Sequence, residues 1–267
     1  MKRIILTALS LLLSLNTLSH AHEFWLEPQN YQAEPGTAVA IELRNGQDFE
    51  GLELSWFDPR VDSASVHTKD NSIAYKGLPG DLPAMSVTVE DGLTVVSYSS
   101  NITKLTYDSW VKTLRFAVEK DFPWFVAEHD ARGLPREAVT EGYWRFSKTL
   151  IGGGTGQGVD EARGMATEFV ALSNPYAEPS DTFRARLLYQ DAPRADVQVE
   201  VWDKVDGEIT KTLLRTDTDG IVTLPVQPGH SYQIDAVVLR EPQSPEAQKL
   251  DVMWESLWAN LTFAVPQ

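Results

Sequence analysis

Apolar and polar positions alternate with a period of two over residues 37–44, where Val39, Ile41 and Leu43 oppose Ala40, Glu42 and Arg44. The same period returns at Met85, Val87 and Val89, and Pro35-Gly36, Asn45-Gly46, Pro79-Gly80 and Asp91-Gly92 punctuate these runs as turns. Short strands without helical stretches between them predict an antiparallel β-sandwich over residues 22–106. The period then lengthens. Trp110, Leu114 and Val118 recur every four residues behind a capping Asp108, and Trp144 with Lys148 repeats that spacing, so residues 107–150 are expected to form a helical insert. The glycines of residues 152–158 lack the lysine of a phosphate loop and the strand–helix frame of a dinucleotide fold, and residues 151–166 read as a flexible linker. Alternation resumes at Phe183, Ala185, Leu187 and Tyr189 and at Val197, Val199 and Val201. A turn at Asp219-Gly220 leads into Ile221, and Trp254, Trp258, Leu261 and Phe263 mark an aromatic core strand. Residues 167–267 are therefore expected to form a second, smaller sandwich. The fold class is mostly β, two antiparallel β-sandwich domains bridged by a helical insert.

Composition adds an address and removes several chemistries. The chain of 267 residues carries 23 Lys plus Arg against 38 Asp plus Glu, a net charge of −15 that repels a polyanion and argues against nucleic acid as a partner. It contains no cysteine, which excludes disulfides, thiolate metal sites and thiol nucleophiles. Lys2 and Arg3 precede an apolar run from Ile4 to Leu15, and Ser19-His20-Ala21 follows with small residues where a signal peptidase reads. That run is shorter than the ~20 residues a bilayer span requires. Residues 1–21 are thus expected to be a cleaved export signal, with the product in a periplasm and no transmembrane segment left after cleavage. Removing Lys2 and Arg3 leaves 21 cations against 38 anions, a net of −17.

Cleavage after Ala21 makes His22 the first residue, and its α-amine and ring nitrogen together form a chelate for a divalent transition metal such as copper, nickel or cobalt. A cut after Ser19 instead leaves His20-Ala21-His22, which also chelates copper or nickel. A second imidazole is available from His129, in Glu128-His129-Asp130, which otherwise reads as an exposed helix end, while Asp48 is a candidate oxygen donor. His67 and His230 read as solvated surface histidines. Asp217 and Asp219 before Gly220 lack the distal glutamate of a calcium loop, and the familiar hydrolase motifs are absent. The crowded aromatics from Phe122 to Phe146 are read as packing, with a sugar platform as the alternative.

Several segments carry a family resemblance in order along the chain. They are His22-Glu23-Phe24-Trp25-Leu26-Glu27-Pro28, Glu141-Gly142-Tyr143-Trp144-Arg145-Phe146-Ser147-Lys148, Asn174-Pro175-Tyr176, residues 216–220, and Trp254-Glu255-Ser256-Leu257-Trp258 leading to Leu261-Thr262-Phe263. The chain resembles an exported family of NikM-like periplasmic components of cobalt or nickel uptake. The resemblance implies a second sandwich like a transthyretin or carboxypeptidase-regulatory module, a role in metal handling, and an envelope transporter or receptor as partner. It also implies histidines that this chain lacks: Gln47 follows Gly46 where relatives often carry one, and the stretch from Val237 to Leu239 holds none. The expectation is a non-enzymatic periplasmic metal-binding or metal-delivery protein using His22. Its alternatives are a metal-free envelope-interaction or carbohydrate-binding module and, third, a copper oxidase.

Overall fold

The computed structural model describes residues 22–267. The leader expected over residues 1–21 lies outside the described residues. The first part of the chain forms β1 (Glu23–Pro28), β2 (Gln32–Ala33), β3 (Ala38–Gln47), β4 (Glu50–Leu54), β5 (Val61–His67), β6 (Ser72–Ala74), β7 (Met85–Thr88), β8 (Gly92–Ser100) and β9 (Thr103–Thr106). Two helices follow, α1 (Trp110–Glu119) and α2 (Phe125–Ala131), and then β10 (Thr140–Gly153), β11 (Thr167–Ala171), β12 (Thr182–Tyr189) and β13 (Ala192–Pro193). The chain finishes with β14 (Gln198–Val205), β15 (Glu208–Arg215), β16 (Ile221–Pro225), β17 (Ser231–Arg240), α3 (Pro245–Lys249) and β18 (Trp254–Ala264). Among the described residues no helix is long and apolar enough to cross a membrane.

The fold is mostly β, built of antiparallel sheets in sandwich fashion with a small helical insert and no barrel. Its spine is a ten-stranded sheet in the order β15-β14-β17-β18-β10-β8-β5-β6, with β2 and β9 also on β10. This sheet draws strands from both halves of the chain. They join where β10 and β18 run parallel, from Glu141 opposite Trp254 to Thr149 opposite Thr262. Side chains on a strand alternate between faces, so each face of this spine needs its own cover. On one face Val95, Leu150, Ile234 and Leu261 pack under a four-stranded sheet of β11, β12, β13 and β16, around Phe169, Phe183 and Leu187. On the other, Val96, Tyr98 and Ile151 pack under β1, β3, β4 and β7, around Leu26, Ile41 and Trp56. The helices cover the rest of that second face, where Phe116 and Phe125 meet Val237, Trp254 and Trp258.

Four local expectations give way to this arrangement. The segment containing Trp144 and Lys148 is strand β10 and not a second helix, so the insert contains α1 and α2 only. Covered on both faces, β10 carries Arg145, Ser147 and Thr149 on one side and Trp144, Phe146 and Leu150 on the other, and Lys148 on the apolar side breaks its period of two. Asn45-Gly46 lies inside β3, and the chain reverses one step later at Asp48 and Phe49, both with positive φ. The glycine-rich stretch is not a flexible linker. Gly152 and Gly153 complete β10, and a Cβ on Gly153 would fall 1.9 Å from the Glu90 carbonyl oxygen, so glycine there serves close packing. The helix cap also moves, to Ser109, whose side chain accepts from the Lys112 amide while Asp108 pairs with the Lys112 ammonium.

Candidate functional site

Strand β1 pairs only with β3 within its small sheet, which leaves its other edge in need of partners. The spine supplies them from side chains. Arg145 Nη2 donates to the His22 carbonyl, Ser147 Oγ to the Phe24 carbonyl at 3.0 Å, and Thr262 Oγ1 to the Leu26 carbonyl at 2.6 Å. Arg145 and Ser147 are two apart on β10, and Thr262 stands opposite Thr149, so all three project from one face. The carbonyls of His22, Phe24 and Leu26 are thereby fixed along the unpaired edge of β1. His22 Nδ1 lies 3.5 Å from Asn45 Nδ2. The pairing of β1 with β3 sets Glu23 opposite Gly46, and one further step along that register places Gln47 across from position 22.

Beside His22 is a cavity of about 220 Å³ lined by Phe24, Asn45, Leu54, Arg60, Tyr98, Ser100, Thr103, Tyr143 and Arg145. The Arg145 guanidinium stacks over Tyr143 at 4.5 Å and over Trp258 at 4.1 Å. Deeper in, Lys120 Nζ lies 4.7 Å from the Trp258 ring centre and joins Glu23 at 2.8 Å to Glu200, which also pairs with Lys211 at 2.6 Å. Burial pushes the neighbouring Asp235 carboxyl up to about 7, with Glu23 and Glu200 adding to the shift and Lys120 opposing it. Asn260 Nδ2 donates to Asp235 at 3.3 Å. Burial also raises Glu141, against the hydrogen bonds it accepts from Ser256 and Tyr107.

The other candidate residues lie apart from this cavity lining. His129 is fully buried (0% exposed), and not at an exposed helix end. Its Nδ1 accepts from Trp254 Nε1 at 3.0 Å. An indole nitrogen only donates, so Nε2 carries the ring proton and donates to the Pro135 carbonyl at 3.2 Å. Both nitrogens of His129 are thus engaged, and burial lowers its pKa. Asp48 accepts from Trp202 Nε1 at 3.2 Å and borders a separate cleft with Glu50, Glu208 and Lys211. His67 is buried and not solvated, its ring between Ser97 at 2.8 Å and Ser72 at 2.7 Å. His230 Nδ1 meets Asp203 at 2.7 Å.

Among the described residues no group of three or more His, Asp or Glu side chains is placed to hold a metal ion. The residues present would fit a chelate made by His22 itself, from its imidazole and the α-amine that a cut after Ala21 would give it. They do not fit a two-histidine brace, because position 47 is glutamine and His129 is committed elsewhere. Sequence reasoning passed over Arg145, Lys120, Glu200 and Asp235. For Arg145, Glu200 and Asp235 the signal was charge inside strands that carry core residues, whereas Lys120 ends α1 and gave none. Of the aromatics crowded from Phe122 to Phe146, Phe122, Phe125 and Phe146 are buried as packing residues, Tyr143 and Trp144 are half-buried and Trp124 is exposed.

Fold and site together define a β-sandwich protein with a clamped leading strand and a small cation-lined cavity behind it. The chain belongs to the family described as a domain of unknown function (DUF4198), whose model matches residues 19–240. Comparison with curated proteins gives no match. Among solved structures the chain is similar to the D0-D1 domain of Intimin at 13% identity, over 91% of this chain and 97% of that one, with a TM-score of 0.19. A score that low carries no argument about fold or role.

Proposed function

We propose that the mature chain is a periplasmic, non-catalytic metal-binding or metal-delivery protein that takes one copper, nickel or cobalt ion at its amino terminus. The observation that supports this is the clamp on β1: Arg145, Ser147 and Thr262 hold the carbonyls of His22, Phe24 and Leu26 in register. The clamp engages the His22 carbonyl oxygen, which is not one of the two nitrogens of the proposed chelate. Imidazole and amine suit these ions, and both must be deprotonated to bind. The resemblance to NikM-like uptake components agrees with such a cargo, and an envelope transporter or receptor is the proposed recipient. In this reading Gln47 stands where a relative's second imidazole would face His22, so the chain binds with weak to moderate affinity and releases readily.

Native mass spectrometry of protein purified from the periplasm tests the proposal. The expected result is a polypeptide beginning at His22 that gains one copper(II) or nickel(II) ion. A retained leader, a start beyond His22, or no metal uptake would contradict it.

A further inference from the structure

We propose that the cavity beside His22 is a binding site for a small organic carboxylate, with Arg145 as its principal anchor and Arg60 at its outer side. The inference does not rest on the metal reading.

The charge of the lining is the first reason. In a chain with 38 acidic residues, this cavity has Arg60 and Arg145 in its wall and no carboxylate. The other four clefts described each have at least one acid in their lining. A second reason is the state of Arg145. It is only 4% exposed, yet Nε and Nη1 meet no hydrogen-bond partner, and its one hydrogen bond through the guanidinium goes from Nη2 to the His22 carbonyl. None of the ion pairs among the described residues includes it. Leaving such donors unsatisfied in a buried place costs their full desolvation penalty. Native structures rarely keep a donor in that condition without a use for it. Glu23, Glu141 and Asp235 act on Arg145 at longer range and favour its charged form, while burial disfavours it.

Geometry then selects the ligand. Tyr143 and Trp258 stack on the guanidinium and fix its plane, which presents N–H donors in the fork that matches a carboxylate. Around it Phe24, Leu54, Tyr98 and Tyr143 offer apolar wall for a carbon body, while Asn45, Ser100 and Thr103 offer hydrogen bonds at its edges. The volume of about 220 Å³ falls below the roughly 300–1,000 Å³ typical of drug-sized sites. A small monoanion with an aliphatic or aromatic body therefore suits it better than a bare inorganic anion, which has nothing to place against those walls.

Titration calorimetry of the mature protein, stripped of metal with EDTA and then dialysed free of the chelator, tests this with butyrate and benzoate as probes. Butyramide and benzamide serve as neutral isosteres, and inorganic phosphate as the anion without a carbon body. The expected result is saturable binding of at least one acid, with its amide about tenfold or more weaker, as loss of a charge-assisted hydrogen bond implies. Arg145→Gln should weaken the acid by a similar factor, and the exposed Arg60→Gln by about threefold, as a solvent-screened charge does. Binding of phosphate but of neither acid, equal binding of acid and amide, binding of no acid, or unchanged binding by folded Arg145→Gln would each overturn the proposal. If Arg145→Gln does not fold, the acid–amide contrast and Arg60→Gln decide the matter, and equality in either overturns it.

Discussion

At the scale of single residues, the displaced titrations of His67 and Asp235 pull stability in opposite directions. Burial, aided by the charges of Arg163 and Lys148, lowers His67 to about 4. In the unfolded chain its pKa is near ~6.5, so between these values the unfolded state binds more protons and stability falls as pH drops. The loss approaches about 3 kcal/mol once pH is below both values. Asp235 behaves oppositely, because its carboxyl is raised to about 7 in the folded state against ~3.9 unfolded. The folded state then holds the extra proton, and stability falls as pH rises through that window. Urea unfolding between pH 4.5 and 8 separates the two. His67→Gln should lose the acid-side decline, and Asp235→Asn should gain on wild type as pH rises from 5 to 8; profiles parallel to wild type would contradict both assignments. Neither environment was legible in the sequence. Val66 and Thr68 made His67 look like an edge position, whereas Ser72 and Ser97, five and thirty residues away, enclose it. Asp235 lies in a strand whose neighbours Ile234 and Ala236 face the opposite core.

Among the elements, β1 carries the function proposed here, and its two edges make separate predictions. Thr262→Val removes the hydroxyl that serves the Leu26 carbonyl while keeping the shape, and should cost about 1–2 kcal/mol in denaturant unfolding. No measurable loss would mean the clamp contributes nothing to holding the strand. On the paired edge, Gln47→His restores an imidazole across from His22, so copper(II) affinity should rise about tenfold or more. Unchanged affinity would show that position 47 does not face the metal. The legible elements were those with one wet face: β3 and β7 show clear alternation because solvent keeps every second residue polar. Strands β10 and β18 are covered on both sides; β18 still reads as a core strand from Trp254, Trp258, Leu261 and Phe263, whereas Trp144 and Lys148 make β10 read as helix. The turn at Asp48-Phe49 was missed because Gly46, the stronger turn residue, is needed inside β3, where a Cβ would fall 2.0 Å from the Glu50 carbonyl oxygen. Of the site, His22 was singled out from local sequence alone, as the residue after the expected cut. The cavity was not, since its walls come from β1, β3, β4, β8, β9 and β10.

For the whole molecule the ten-stranded spine is decisive, because strands from the two ends of the chain share it and one core covers parts of both halves. Heating should therefore give a single cooperative transition, and residues 22–166 alone should not fold, as circular dichroism of that fragment will show. Two separated transitions would mean that the halves are independent. The account turns on His22 as a terminal ligand. Copper(II) titration calorimetry of protein starting at His22, set beside a form with one alanine added before it, addresses this directly. An added residue converts the α-amine into an amide and destroys the chelate while leaving the imidazole, so the extended form should bind about tenfold or more weaker. That loss should exceed the effect of His67→Ala or His230→Ala. Affinity of the native form should also fall as pH drops through ~8 to ~6.5, where protons compete for amine and imidazole. Equal affinity in native and extended forms would exclude the amino terminus as the metal ligand.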